Sequence, residues 1–207
     1  MEKFRKTANN VWKAISRFVV TNVIRLYCKI VYKYEVIGKE NIPKEGALLF
    51  CGNHTSYLDG PLIIITSPRT MRFMAKQDLK EKLLFRYLCY AYDAIYVKRD
   101  SKDIGPLKEA LKELKNGGCI GIFPEGTRNG MDKNDGKIKN GAAYMSMKTG
   151  AKIIPIGING EAKPFHKVTI TYGKPIDFGK LLEGKTAKEV ETEATEILKN
   201  EIIKLLK

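Results

Sequence analysis

The stretch CGNHTSYLDG, residues 51 to 60, carries His54, one of only two histidines in the 207-residue chain, five positions before Asp59. A histidine hydrogen-bonded to a carboxylate makes a general base. The acid accepts the proton of one ring nitrogen and fixes the tautomer, which leaves the other nitrogen free to take a proton from a hydroxyl. The ordinary imidazole pKa of about 6.5 suits that work near neutral pH. On a continuous helix, residues five apart point about 140° from one another. The two side chains therefore meet only if TSYL, residues 55 to 58, is a turn. Taken alone, Asp59 serves equally well as the N-cap of a helix opened by Pro61, and His54 as an ordinary turn histidine.

A second stretch, FPEGTR at residues 123 to 128, follows the apolar run CIGI. Arg128 offers a planar fork that grips a phosphate through two parallel bonds. Gly126 lets backbone approach closely, and Thr127 adds a hydroxyl donor. Glu125 would repel a phosphate, so its expected task is to orient Arg128 or to accept a glycerol hydroxyl. A third cluster, YVKR, ends another apolar run and offers Lys98 and Arg99. The remaining histidine, His166, has no acid near it in sequence and reads as a surface residue. Lys137 and Lys139, ahead of a helix at Gly141, either extend this basic group or are solvated surface charge.

Each cluster stands at the end of a short apolar run, and the runs alternate with helical patterns. YEVIG (34–38), ALLFC (47–51), MRFMA (71–75), AIYV (94–97), CIGIF (119–123), KIIPIGI (152–158) and KVTITYG (167–173) read as strands. Helices are expected over PLIIIT from Pro61, over KQDLKEKLLFRYLCY (76–90), over 106–115 up to the NGG stop, and over GAAYMSMKTG (141–150). Thr186 and Glu189 form a capping box for a last helix, with Val190, Ala194, Ile197, Leu198, Ile202 and Leu205 facing inward. This alternation predicts a single-domain α/β sandwich whose central sheet is mixed and largely parallel, with helices on its flanks. Open sheets of this kind bind ligands beyond the C-terminal ends of their strands. His54, Lys98 and Arg128 would converge there.

The formal net charge of +14 favours an anionic partner: nucleic acid, an anionic membrane surface or a phosphorylated small molecule. Its N-terminal share is large, since the first 33 residues hold eight Lys or Arg against the single acid Glu2. Residues 4 to 33 read as an amphipathic helix, with Val11, Trp12, Ile15, Phe18, Val19, Val23 and Leu26 on one face and Lys13, Arg17 and Thr21 opposite. Such a helix lies in a headgroup layer, Trp12 and Phe18 in the apolar zone and Lys13, Arg17 and Arg25 toward anionic lipid, each cation adding about 1 kcal/mol. It can equally dock its apolar face on the domain. The expected organisation is a membrane-associating helix at 1–33 and one domain at 34–207. The longest uncharged N-terminal stretch, FVVTNVI at 18–24, is far short of the ~20 apolar residues of a spanning helix, and no secretory signal is expected. Cys28, Cys51, Cys89 and Cys119 follow no metal or disulfide spacing and read as reduced thiols in a cytosolic compartment.

NHTSYLD resembles the NHx4D motif of the glycerolipid acyltransferases, and FPEGTR their phosphate-binding motif. YVKR resembles the block between them, and IIPIGI (153–158) the Pro-centred block that follows. All four occur in family order across residues 34 to 176, and the chain is most similar to the bacterial 1-acyl-sn-glycerol-3-phosphate acyltransferase group. It departs from that pattern at the N-terminus, where many members carry a clearly hydrophobic anchor. The resemblance implies acyl transfer from acyl-CoA or acyl-acyl carrier protein to the sn-2 hydroxyl of lysophosphatidic acid, giving phosphatidic acid without a cofactor or metal, at the cytoplasmic face of a membrane. His54 would be the base, Asp59 its support, and Arg128, with Lys98, Arg99, Glu125, Gly126 and Thr127, the phosphate and glycerol site. The chain lacks a G-x-S-x-G elbow, and neither Ser56 nor any cysteine has an evident activating partner, so single displacement is expected rather than an acyl-enzyme. The alternatives are a sibling acting on glycerol 3-phosphate or another lysophospholipid, a hydrolase using His54, and a non-enzymatic basic module. A membrane- or nucleic-acid-binding module would leave the paired motifs unexplained, so nucleic acid is not an expected partner.

Overall fold

In the computed structural model, which describes residues 2–98, 103–128, 138–160 and 163–207, seven strands form one sheet. They are β1 (Lys33–Ile37), β2 (Leu48–Gly52), β3 (Arg72–Lys76), β4 (Ile95–Val97), β5 (Cys119–Ile122), β6 (Lys152–Asn159) and β7 (Lys167–Tyr172). Their order across the sheet is β1-β7-β6-β2-β5-β3-β4, and each neighbouring pair is parallel except β6 with β7. This is the mixed, largely parallel α/β architecture that the alternating pattern predicts.

The centre of the sheet is covered on both faces, and β2 shows why its sequence is apolar at every position. All five of its residues are buried. Leu48 and Phe50 point into one core layer and Leu49 and Cys51 into the other, following the two-residue period of a strand. Helices α1 (Glu2–Val31), α2 (Asp59–Thr66) and α3 (Leu83–Ala91) cover the first layer. The second is covered by α4 (Gly105–Lys115), α5 (Gly141–Thr149) and α6 (Ala187–Lys204). The capping box of Thr186 and Glu189 opens α6, and Val190, Ala194, Leu198 and Ile202 are its fully buried positions; Ile197 and Leu205 are only half-buried. Each such aliphatic side chain taken from water stabilises the fold by about 1.5–3 kcal/mol.

Two expectations need correction. The helix expected over residues 76–90 is broken: Lys76 ends β3, a 3-10 turn runs over Gln77–Glu81, and Lys82 is extended before α3 begins at Leu83. The charged run Lys80-Glu81-Lys82 has nothing to bury, so no packing holds a helix through it. The second concerns how α1 docks. Its apolar stripe does not rest on the domain; the opposite side does. The Lys13 ammonium pairs with Asp93, the Thr21 and Tyr92 hydroxyls are hydrogen-bonded, and Ile24 and Cys28 enter the core. Arg25 donates to the Ile65 carbonyl, and Arg17 is half-buried beside Arg69 and Tyr92. Trp12 and Phe18, 64% and 73% exposed, point outward with the rest of the stripe. Among the described residues no helix is long and apolar enough to cross a membrane.

Candidate active site

β2 and β5 are parallel neighbours at the middle of the sheet, so the loops leaving them emerge on one edge. Asn53, first residue after β2, controls the exit. Its buried amide donates to the Ile158 carbonyl at 2.9 Å and accepts the Ile158 N–H at 2.7 Å, which extends the pairing with β6 by a side chain. The chain then turns through residues 55–58, as pairing of His54 with Asp59 requires, and Asp59 becomes the first residue of α2. Asp59 is not the N-cap: Leu58 holds that place with helical backbone angles and no side-chain cap. The carboxylate reaches back instead. Its Oδ2 accepts the Thr55 N–H at 2.7 Å and the Ser56 N–H at 2.8 Å, and lies 2.7 Å from His54 Nδ1. An ionised carboxylate can only accept, so in the neutral imidazole paired with it Nδ1 carries the proton and Nε2 the lone pair. Asp59 is 1% exposed; the imidazole is more open.

The loop after β5 completes the support. Glu125 is buried, and its Oε1 accepts the backbone N–H of His54 at 2.9 Å. In that bond it braces the histidine turn, a task distinct from the two the sequence suggested. Gly126 has φ +69°, a conformation that favours glycine, and a Cβ there would lie 3.3 Å from the Lys139 side chain. Lys139 thus sits beside the loop, while Lys137 lies outside the described residues. The His54 ring is stacked on Phe123.

A cavity of about 500 Å³ opens on this edge. His54, Lys76, Thr127 and Arg128 line its polar part, and Phe85, Leu88, Cys89 and Tyr92 part of its apolar wall. Tyr57, also in the lining, has the Arg128 guanidinium carbon 3.6 Å from its ring centroid and the Lys82 ammonium at 4.0 Å. The negative face of the ring attracts each cation. The Lys82 hydrogen bond, then the Arg128 charge, pull the phenol below its ordinary pKa.

The structure therefore brings together His54, Asp59, Glu125, Gly126, Thr127 and Arg128. Lys98 is exposed and apart from the cavity lining, because β4 is the outermost strand, two strand spacings (about 10 Å) from β5. Arg99 lies outside the described residues. Lys76, not singled out from sequence, lines the cavity in its place, and its signal was the same one: a cation ending the apolar run MRFMA. His166 is exposed, with Nδ1 3.0 Å from the Pro164 carbonyl oxygen.

The family described as Acyltransferase matches residues 33–159, which include β1 to β6 and both site loops. The 1-acyl-sn-glycerol-3-phosphate acyltransferase of Borreliella burgdorferi is 32% identical over 181 residues, covering 84% of this chain and 72% of its own. The Bacillus subtilis protein of the same name is 25% identical over 193 residues, covering 89% and 94%. The crystal structure of PlsC, the 1-acyl-sn-glycerophosphate (LPA) acyltransferase of Thermotoga maritima, shares the fold with a TM-score of 0.69 at 24% identity, over 97% of this chain and 82% of that one. A family match over more than half of the chain, joined by a relative above 30% identity along most of both sequences, means that the protein belongs to the acyltransferase family and is an enzyme of it.

Proposed function

We propose that the enzyme transfers a fatty acyl group from a thioester, acyl-CoA or acyl-acyl carrier protein, to the sn-2 hydroxyl of 1-acyl-sn-glycerol 3-phosphate, giving phosphatidic acid. The names of the relatives support the acceptor. The observation that carries the mechanism is the 2.7 Å contact of His54 Nδ1 with Asp59 Oδ2, on a cavity that Arg128 also lines. With Nδ1–H donated to Asp59, Nε2 takes the hydroxyl proton as the oxygen attacks the thioester carbonyl carbon. Asp59 stabilises the imidazolium so formed. The tetrahedral adduct collapses by breaking the C–S bond, and the imidazolium returns its proton to the departing thiolate.

No acyl-enzyme is needed. The Ser56 hydroxyl accepts the Leu58 N–H within the turn, and burial raises the pKa of Cys89, the thiol in the cavity wall, away from the nucleophilic thiolate. Arg128 holds the acceptor's phosphate, which converts binding into orientation of the hydroxyl. Both acceptor and product are lipids, and besides the outward stripe of α1, with Trp12 and Phe18, the neighbouring α3 exposes Leu83, Leu84 and Tyr87. We assign this apolar surface to the cytoplasmic face of a membrane.

The test is a matrix of acyl-CoA and acyl-acyl carrier protein against lysophosphatidic acid, glycerol 3-phosphate and lysophosphatidylcholine on liposomes. Transfer to lysophosphatidic acid by the wild type, and its loss in His54→Ala, is the expected result. Preference for another acceptor would reassign the substrate, and wild-type rates in His54→Ala would remove the base.

A further inference from the structure

Tyr57 sits in the turn between His54 and Asp59, and two cations from separate elements lie against its ring. Arg128 comes from the loop after β5, at 3.6 Å from the ring centroid. Lys82 comes from the extended residue that starts α3, at 4.0 Å. Among the described residues neither cation forms an ion pair with a carboxylate. The two charges can be no farther apart than those two distances combined, so they repel, while the ring's negative face attracts each. An anion in contact with both relieves that repulsion. A phosphate making a charge-assisted bond of about 2.8 Å to each cation reaches both at any separation up to that bound.

The geometry points to Tyr57 as a shelf that seats Arg128 and Lys82 together, with Lys82 as a second cation on the phosphate of the lipid acceptor. This rests on the acceptor reading above. Lys82 belongs to neither motif, and its neighbours Leu83 and Leu84 lie on the exposed apolar surface. The phosphate would thus be gripped where the lipid–water boundary meets the cavity. Tyr57 is a positioning residue in this scheme: it acts through the two cations.

Steady-state kinetics on vesicles, with donor and acceptor varied separately, test it. Lys82→Ala should raise the acceptor KM about tenfold with kcat and donor KM within about twofold, and Lys82→Arg should recover most of the loss. Tyr57→Leu should raise the acceptor KM similarly, Tyr57→Phe, which keeps the ring but loses the hydroxyl that Lys82 hydrogen-bonds, should recover part of the loss, and Lys82→Ala should add little on top of Tyr57→Leu. An acceptor KM in Lys82→Ala within twofold of wild type, while Arg128→Ala raises it, overturns the proposal and leaves the acceptor reading intact. A rise in donor KM alone places Lys82 on a donor phosphate and also overturns it. Absence of transfer to lysophosphatidic acid by the wild type sinks both.

Discussion

The imidazole of His54 lies flat on the ring of Phe123, centroids 4.0 Å apart and planes 9° from parallel. Asp59 holds one ring nitrogen, and Phe123 fixes the plane in which the other points. Phe123 in turn stacks against Phe73 at 5.7 Å, which ties His54 to β3. Leu at position 123 fills much of the volume but gives no flat surface. Phe123→Leu should therefore lower kcat about tenfold with acceptor KM within about twofold, since misplacing a reacting group costs rate rather than binding. A change confined to KM would move Phe123 to substrate contact.

Gly121 tests the same stack from behind. It is the cross-strand partner of Phe73, and a Cβ built on it would meet the Phe73 ring at 2.6 Å. Gly121→Ala must displace Phe73, the ring stacked against Phe123, and so disturb the His54 support without touching His54. Overpacking of this kind costs about 1–3 kcal/mol, or a Tm lower by about 2–4 °C per kcal/mol for a domain of this size. We expect that fall together with a several-fold lower kcat, and recovery of Tm when Phe73→Leu is added. If Gly121→Ala leaves both quantities unchanged, the stack does not transmit strain.

Much of the geometry of the candidate site was legible because strand ends are legible. LLFC and CIGI are apolar at every position, as buried parallel strands must be, and polar residues following two such strands leave on one edge when the strands are neighbours. Strand order was not legible. YVK and FMAK end in the same way, yet β4 lies at the border of the sheet and carries Lys98 away, while β3 brings Lys76 to the cavity. The double bond from Asn53 to Ile158 joins residues too distant in sequence for any local pattern to reveal. The helical wheel of α1 displayed two faces correctly, but which one docks depends on Asp93 and Tyr92, the partners that receive Lys13 and Thr21.

That docking separates two roles within α1. Trp12 and Phe18 face outward, so Trp12→Ser with Phe18→Ser should weaken binding to anionic vesicles in a flotation assay by tenfold or more, given about 1.5–3 kcal/mol per large apolar side chain buried. Lys13 faces Asp93, so Lys13→Ala should chiefly cost folding stability, up to about 1 kcal/mol for a partly exposed ion pair. Vesicle binding that depends on Lys13 but not on Trp12 and Phe18 would mean that the helix rolls over at the membrane.

Asp59→Asn addresses the centre of the mechanism. The three donors around Asp59 converge on Oδ2, and an amide oxygen can occupy that place. Oδ1 is buried without a hydrogen-bond partner among the described residues, so an amide nitrogen there would bury two unsatisfied donors. Against that cost, the substitution removes a buried charge. The two effects oppose each other, and Tm should stay within about 5 °C of wild type. In the proposed mechanism catalysis has no such offset, because a neutral amide cannot stabilise the imidazolium formed if His54 takes the proton. We expect kcat to fall by about 10²–10⁴-fold with acceptor KM little changed. His54→Ala combined with Asp59→Asn should be no slower than His54→Ala alone, since the two residues work as one unit. A kcat in Asp59→Asn within threefold of wild type would show that His54 works without its acid.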